Sequence, residues 1–435
     1  MQNVQTLSAT ELKDQLIEVT IGGAKASVDL EQKKMLFAEY MQRAFPEMKI
    51  FNLKPTDTSA ALNSVSATAN VDLNGQRLSI FGKVHIESET RVINAVGVEQ
   101  EYQKASLLVE AGWPVVKPIA MSKQMDYPLL LYLQMNEPTL FDKLEKSNMN
   151  GVSTLREQQL KDFYEYNANI GQKEVKNLRQ GSVDEAKNAP VQTLFLKRFE
   201  KGGRIDQWYT ENTLFQLPGL IDPISWKELL TSQWQINGIV YNTTLQDIVD
   251  KARQSLAFEN EEDAFLTLSH GDDHSGNVRL TQPPLVFDPA FAGWNPASLD
   301  LKALAHTGFL PLASMYYLPK GLNCTYQKSA NKIQVEINLT SLPMYTTFEV
   351  LAKQIIDTRI IPLMKRVKES GGNIDKESQR IKCGMAGCAL LTVNIAKLLE
   401  QGDGRAIGLL PMAILFSELK GLSALDYLNT EIKKL

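Results

Sequence analysis

Phe265-Leu266-Thr267-Leu268-Ser269-His270-Gly271-Asp272-Asp273-His274-Ser275-Gly276-Asn277 carries two of the chain's four histidines and two adjacent aspartates. The apolar run 265–268 has the length and character of a buried strand, and Gly271 and Gly276 mark residues 270–277 as a loop. A second apolar run, Pro284-Leu285-Val286-Phe287, ends at Asp288, eleven residues beyond Asn277. Two strand ends are therefore expected to present Asp272, Asn277 and Asp288 at one edge, as a hairpin around a polar loop would.

Those three side chains suit phosphoryl transfer. The chemistry needs a carboxylate to orient and deprotonate an attacking hydroxyl, and oxygen ligands for the Mg²⁺ that bridges the phosphates. Asp272 suits the first task, as the catalytic residue. Asn277 and Asp288 suit the second, because Mg²⁺ prefers hard oxygen donors and a carboxamide–carboxylate pair limits the accumulated negative charge. An Asp and an Asn separated by four residues, followed by a distant Asp, is the spacing of a kinase catalytic loop and its metal-binding aspartate.

At these residues the sequence resembles the aminoglycoside phosphotransferase and choline kinase family. His270-Gly271-Asp272-x-His274-x-Gly276-Asn277 looks like its H-G-D-x-H-x-G-N loop, Phe287-Asp288 like its strand-end I-D motif, and Ser298-Leu299-Asp300-Leu301 like the stretch whose D-L pair anchors the next helix. The match is specific over about forty residues. Weaker similarity reaches back to about Lys49. The resemblance implies an α+β, bilobal protein-kinase-like fold, with a small antiparallel-sheet N-lobe (46–136) and a larger helical C-lobe (137–435). Residues 1–45 are then an N-terminal helical extension. It also implies ATP or another nucleoside triphosphate as donor, Mg²⁺ as cofactor, and the hydroxyl of a small molecule as acceptor: a sugar, an amino alcohol or an aminoglycoside-like compound.

The same resemblance implies further roles. Lys83, on the third predicted strand, would hold the α/β-phosphates, and Glu101, on the next helix, would position it, with Glu99 as the rival glutamate. The nucleotide base would meet the backbone at Gln134, Met135 and Asn136. His270 would brace the catalytic loop, and His274 would support it or touch phosphate. Two departures stand out. The loop at 55–64 contains no glycine, the residue that lets backbone amides approach phosphate closely. Asp288 is succeeded by Pro289 rather than Phe-Gly.

Working outward, residues 9–45 read as two helices, with Leu12, Leu16 and Ile17, then Leu36, Phe37, Tyr40, Met41 and Phe45, at helical spacing. Strands are expected at 50–53, 63–73 and 77–87, the last two joined by Asn74-Gly75. A helix over 98–111 ends at Gly112, and a strand covers 128–135. Residues 150–260 read as mostly helical, with a loop at 181–190 and an amphipathic helix at 243–256. The last hundred residues read as helical apart from a hairpin at 324–339.

Composition bounds the rest. With 43% apolar and 22% charged residues and a net charge of −4, the chain reads as an ordinary globular protein with no basic run for nucleic acid. No secretory signal opens it, and its most apolar stretches, 129–133 and 383–399, are too short to span a bilayer. Cys324, Cys383 and Cys388 make no disulfide framework and read as buried thiols, which fits a cytoplasmic location. Asp273 reads as a solvated or supporting carboxylate, His85 as a packed strand residue, and His306 has no distinguishing context. Trp208, Tyr209, Trp226, Trp234 and Tyr241 fall where the family builds its acceptor pocket, though packing accounts for most of them. Asp206 and Glu211 are the acids there that could meet a cationic substrate. Two other functions compete: a kinase-fold pseudoenzyme or interaction module, and a metal-dependent hydrolase using His270, Asp272 or Asp273, and His274 as ligands.

Overall fold

The computed structural model describes residues 4–21, 30–56, 64–87, 92–313 and 321–435. The glycine-free segment lies largely outside this set, at 57–63. The chain is α+β and forms two units: Met1–Glu110 with Val115–Glu137, and Ala111–Pro114 with Pro138–Leu435.

Unit 1 is an antiparallel sheet of β1 (Lys49–Pro55), β2 (Ser64–Leu73), β3 (Gln76–Glu87), β4 (Val92–Ile93), β5 (Ala120–Met121) and β6 (Leu130–Leu133). Its order is β1-β2-β3-β6-β5, with β4 on β3. Asn74 (φ 54°) and Gly75 (φ 81°) make the two-residue β2–β3 turn. Both take the left-handed conformation that matches strand twist, and the Gly75 amide donates to Asp72 Oδ1 at 2.9 Å.

Strand alternation divides the sheet into two faces. Val65, Ala67, Ala69 and Val71 of β2, with Ile80, Val84 and Ile86 of β3, pack into one core with helices α1 (Ala9–Ile21) and α2 (Leu30–Ala44). Leu36, Phe37, Tyr40 and Met41 line the apolar face of α2, and each such buried side chain contributes about 1.5–3 kcal/mol. The helices read from sequence as an extension thus share the sheet's core. On the opposite face, Phe81, Leu130 and Tyr132 meet Val98 and Tyr102 of α3 (Ala95–Glu110). Lys83 and His85 continue the Phe81 face by parity, which carries them toward α3.

Unit 2 is mainly helical. Helices α4 (Leu140–Asn150) and α5 (Glu157–Lys176) precede a three-stranded antiparallel sheet with Asp263–Ser269 at its centre. The edges are β7 (Arg179–Ser182) and Gly293–Pro296. Three sequence expectations are corrected here. Residues 181–190 are not a loop: they hold the end of β7 and the helix Val183–Lys187, started by a Ser182–Glu185 capping box. The predicted single hairpin is two ladders, because Asp263–Ser269 pairs with Gly293–Pro296 while Leu285–Val286 pairs with Val278–Arg279. Residues 150–260 are less helical than expected. Strands Gln233–Ile236 and Ile239–Tyr241 turn at Asn237-Gly238 and extend the hairpin Cys324–Ser329/Lys332–Ile337 into a four-stranded sheet.

The segments Ile374–Glu400 and Gly404–Lys434 are long and apolar enough, by composition, to cross a bilayer, and 67% of the apolar window of each is buried within the chain. Burial of this kind is the pattern of core helices. Two π-helical turns, Leu304–Phe309 and Ile356–Ile360, interrupt the α-helical geometry. Such turns are frequent near functional residues, and both deliver side chains to the loop that begins at His270.

Candidate active site

His270 leaves the central strand fully buried. Its ring nitrogens tie the two halves of the site together: Nε2–H donates to the carbonyl of Phe287 at 3.2 Å, and Nδ1 accepts the Asp272 amide at 3.3 Å. Gly271 turns the chain between them at φ 76°, where an added Cβ would lie 2.6 Å from the carbonyl oxygen of Phe291. Only glycine meets both demands. Burial lowers the His270 pKa against the pull of Asp273, Asp272 and Asp288, which keeps the ring neutral for this double contact.

The loop then closes on itself. The Asn277 side-chain amide donates to the Asp272 carbonyl at 2.8 Å, and the Asn277 backbone donates to the carbonyl of His274 at 2.8 Å. His274 Nδ1 accepts the Gly276 amide at 3.0 Å, which leaves Nε2–H facing Asp272 Oδ1 at 4.0 Å. The Ser275 amide donates to Thr307 Oγ1 at 2.9 Å, fastening the loop to the first π turn. The Phe287 amide donates to the Asn277 carbonyl at 3.0 Å, so the chain reaches Asp288 directly beside Asn277. Asp288 sits at φ 61°, a left-handed position that aspartate tolerates better than most residues.

Asp272, Asn277, Asp288, His270 and His274 are therefore one cluster. Asp272 Oδ1 is buried and has no hydrogen-bond partner among the described residues, an acceptor left open in a polar site. The Asn277 carboxamide is oriented by its Nδ2–H bond, and its oxygen and the Asp288 carboxylate are the hard donors here that could hold a Mg²⁺ ion.

Of the two readings of Asp273, solvated or supporting, the structure shows the supporting one. Its carboxylate points inward and binds Arg359 Nη1 at 2.6 Å. The same guanidinium binds Asp300 at 2.6 Å and Glu174 of α5 at 2.7 Å. Burial pushes the Asp300 carboxyl well above its ordinary range, and the neighbouring Asp273 and Glu174 carboxylates add to that against Arg359. This network fixes the rear of the loop. It also takes Asp273 and His270 out of the hydrolase alternative's ligand set, since Asp273 is committed to Arg359 and both His270 nitrogens are bonded, which leaves Asp272 and His274. Among the described residues, no three His, Cys, Asp or Glu side chains converge as a metal site.

In unit 1, Lys83 Nζ lies 2.9 Å from Glu101 Oε2 with both side chains buried. His85 Nε2 and the Tyr132 hydroxyl also bond the Glu101 carboxylate. Burial alone would raise that carboxyl, but Lys83, then His85 and Tyr132, outweigh it and hold it well below the usual carboxylate range. Glu99 lies on the exposed side of α3, where it accepts from Gln103 at 3.2 Å. At the end of the unit, the Gln134 amide donates to the Ser79 carbonyl at 2.9 Å, Met135 is half-buried and Asn136 exposed.

The acceptor-side expectations fare differently. Tyr209 and Trp226 stack with Phe215 in a buried aromatic core, and Trp234 and Tyr241 are fully buried, so these four rings pack. Asp206 binds Arg253 at 2.8 Å and Glu211 pairs with Lys227 at 3.5 Å, which engages the acids proposed to meet a cation. The sequence reading missed Lys302, which donates to His306 Nε2 at 3.1 Å, and Arg359. Lys302 and His306 are four apart on one helical face, a signal available in the sequence. Arg359 had none.

No protein-family model matches the sequence, and no curated protein matches it. Among solved structures, the choline kinase from Cryptosporidium parvum Iowa II is similar over 90% of each chain, at 12% sequence identity and a TM-score of 0.28.

Proposed function

We propose that the protein is an ATP-dependent small-molecule kinase that transfers a γ-phosphoryl group to a hydroxyl. The observation that carries this reading is the buried, unbonded Oδ1 of Asp272 on a loop whose Asn277 is tied to it and set beside Asp288. In the transfer, the acceptor oxygen bonds to Pγ while the bond from Pγ to the β,γ-bridging oxygen breaks. ADP leaves with that oxygen, and the hydroxyl proton passes to the Asp272 carboxylate.

Asn277 and Asp288 are the residues that would hold Mg²⁺, which when bound neutralises charge on the phosphates. His270 keeps the Asp272 backbone and the Phe287 carbonyl in register. Within unit 1, Lys83 braced by Glu101 is the cation suited to triphosphate oxygens, and the backbone at Gln134, Met135 and Asn136 is the segment suited to the base. Positioning and electrostatics supply nearly all the acceleration in this chemistry.

The reading is tested by incubating the protein with ATP, magnesium and a panel of hydroxylated metabolites, then recording ³¹P NMR spectra. A new phosphomonoester resonance appearing together with ADP supports it. Absence of ATP binding, or ADP formed only with inorganic phosphate whatever compound is supplied, overturns it.

A further inference from the structure

Beside Asp272 lies a chain of groups with the opposite polarity. His274 Nε2 is 4.0 Å from Asp272 Oδ1, and its ring centroid is 5.6 Å from that of His306. Lys302 Nζ donates to His306 Nε2 at 3.1 Å, which places the His306 proton on Nδ1, a buried donor with no acceptor among the described residues. Thr392 Oγ1 is 3.5 Å from the same His306 nitrogen, and one residue earlier the Leu391 carbonyl receives Arg198 Nη1 at 3.3 Å and Arg204 Nη1 at 3.2 Å.

Lys302 differs from two other buried cations of unit 2, Arg359 and Arg380. Arg359 holds three carboxylates, and Arg380 holds Glu261 and Glu377. Among the described residues the ammonium of Lys302 bonds only a neutral imidazole. An ammonium in such a place is normally paired. Burial lowers its pKa, and a bound anion would reverse that effect. Asp206 and Glu211 are paired with Arg253 and Lys227, and the charges that act on His306 come from the cations Lys302 and Arg198.

We infer that the acceptor bears an anionic group, a carboxylate or a phosphate monoester, held by Lys302 and His306 next to the hydroxyl that Asp272 deprotonates. This rests on the phosphotransferase reading for the role of Asp272, while the anion subsite itself is defined by Lys302 and His306. An open acceptor, Asp272 Oδ1, takes the hydroxyl; an open donor, His306 Nδ1–H, and an ammonium lacking a carboxylate take the anion. Arg198 and Arg204 add positive potential behind them.

The test is the thermal shift of the full chain without nucleotide, at fixed ionic strength, with inorganic phosphate, glycerate or choline. Phosphate or glycerate should raise the melting temperature of the unsubstituted protein and choline should not. The stronger of the two anions identifies the group. Lys302→Met should abolish the shift, and Arg204→Gln, at a partly exposed position, should weaken the apparent affinity about fivefold or more, so the inference stays testable if the first variant fails to fold. No shift with either anion, a shift unchanged in both variants, or a shift with choline alone overturns it. ATP binding measured on the same samples separates the two claims: lost anion binding with ATP binding intact sinks this inference, whereas anion binding without ATP binding sinks the kinase reading.

Discussion

The side-chain amide of Asn277 donates to the main-chain carbonyl of Asp272 at 2.8 Å, so one side chain both shapes the loop and carries the oxygen proposed as a magnesium ligand. Asn277→Ala removes both functions. The magnesium concentration giving half-maximal activity should rise at least about tenfold, the usual scale for losing one ligand or its support. Asn277→Asp restores an oxygen but not the amide donor, and should recover only part of the loss. An unchanged magnesium dependence in Asn277→Ala would remove Asn277 from the metal site.

Lys83→Met takes away the ammonium 2.9 Å from the buried Glu101 carboxylate and leaves His85 and Tyr132 bonded to it. Breaking a buried pair from one side costs about 3–5 kcal/mol. Urea unfolding should show a loss of that order, and the double variant Lys83→Met/Glu101→Gln should recover much of it, because no uncompensated charge remains. A single variant as stable as the parent would show that the pair contributes nothing.

Much of this architecture is legible in the sequence, for identifiable reasons. The β2–β3 hairpin announces itself through Asn74-Gly75 between two alternating runs, and α2 through its spacing of Leu36, Phe37, Tyr40 and Met41. Lys83 and Glu101 come from the family resemblance, and the local strand and helix patterns are enough to put them on the third strand and the helix after it. The equivalent signal at Asn237-Gly238 is easily missed because its flanking strands are only three and four residues long. β7 escapes because Arg179-Gln180-Gly181-Ser182 is a polar edge with no alternation. Arg359 is invisible for a deeper reason: its three carboxylate partners come from residues 59 to 185 positions away, and no local pattern encodes that convergence.

Acid should destabilise the protein from near neutrality. Burial holds the pKa values of His270 and His306 below the ordinary histidine value. A histidine depressed in the folded state lends stability above its unfolded pKa of about 6.5, and that stability drains away as pH falls toward the folded value. Each should add a slope of about 1.4 kcal/mol per pH unit in that window. Urea midpoints measured from about pH 8 to about pH 5 should be flat above 6.5 and fall below it. A flat profile throughout would mean these rings are protonated without cost.

Gly171 on α5 lets that helix approach the π turn bearing Arg359: an added Cβ would lie 1.9 Å from the carbonyl oxygen of Thr358. Backbone cannot swing aside as a side-chain tip can, so Gly171→Ala should cost about 1–3 kcal/mol or more. The loss should extend to activity, because Glu174 and Arg359 flank the contact. Gln172→Ala, one residue on and exposed, should stay within about 0.5 kcal/mol of the parent. Equal stability for the two variants would show that α5 has room to move.

The most direct test concerns Asp272 as acceptor of the hydroxyl proton. Acceptor-dependent ADP release should be measured for the parent and for Asp272→Asn, with ATP affinity determined in parallel. The account predicts a fall in kcat of about a hundredfold or more, the range for losing a general base, with ATP affinity little changed. Parent-like turnover in Asp272→Asn would contradict it.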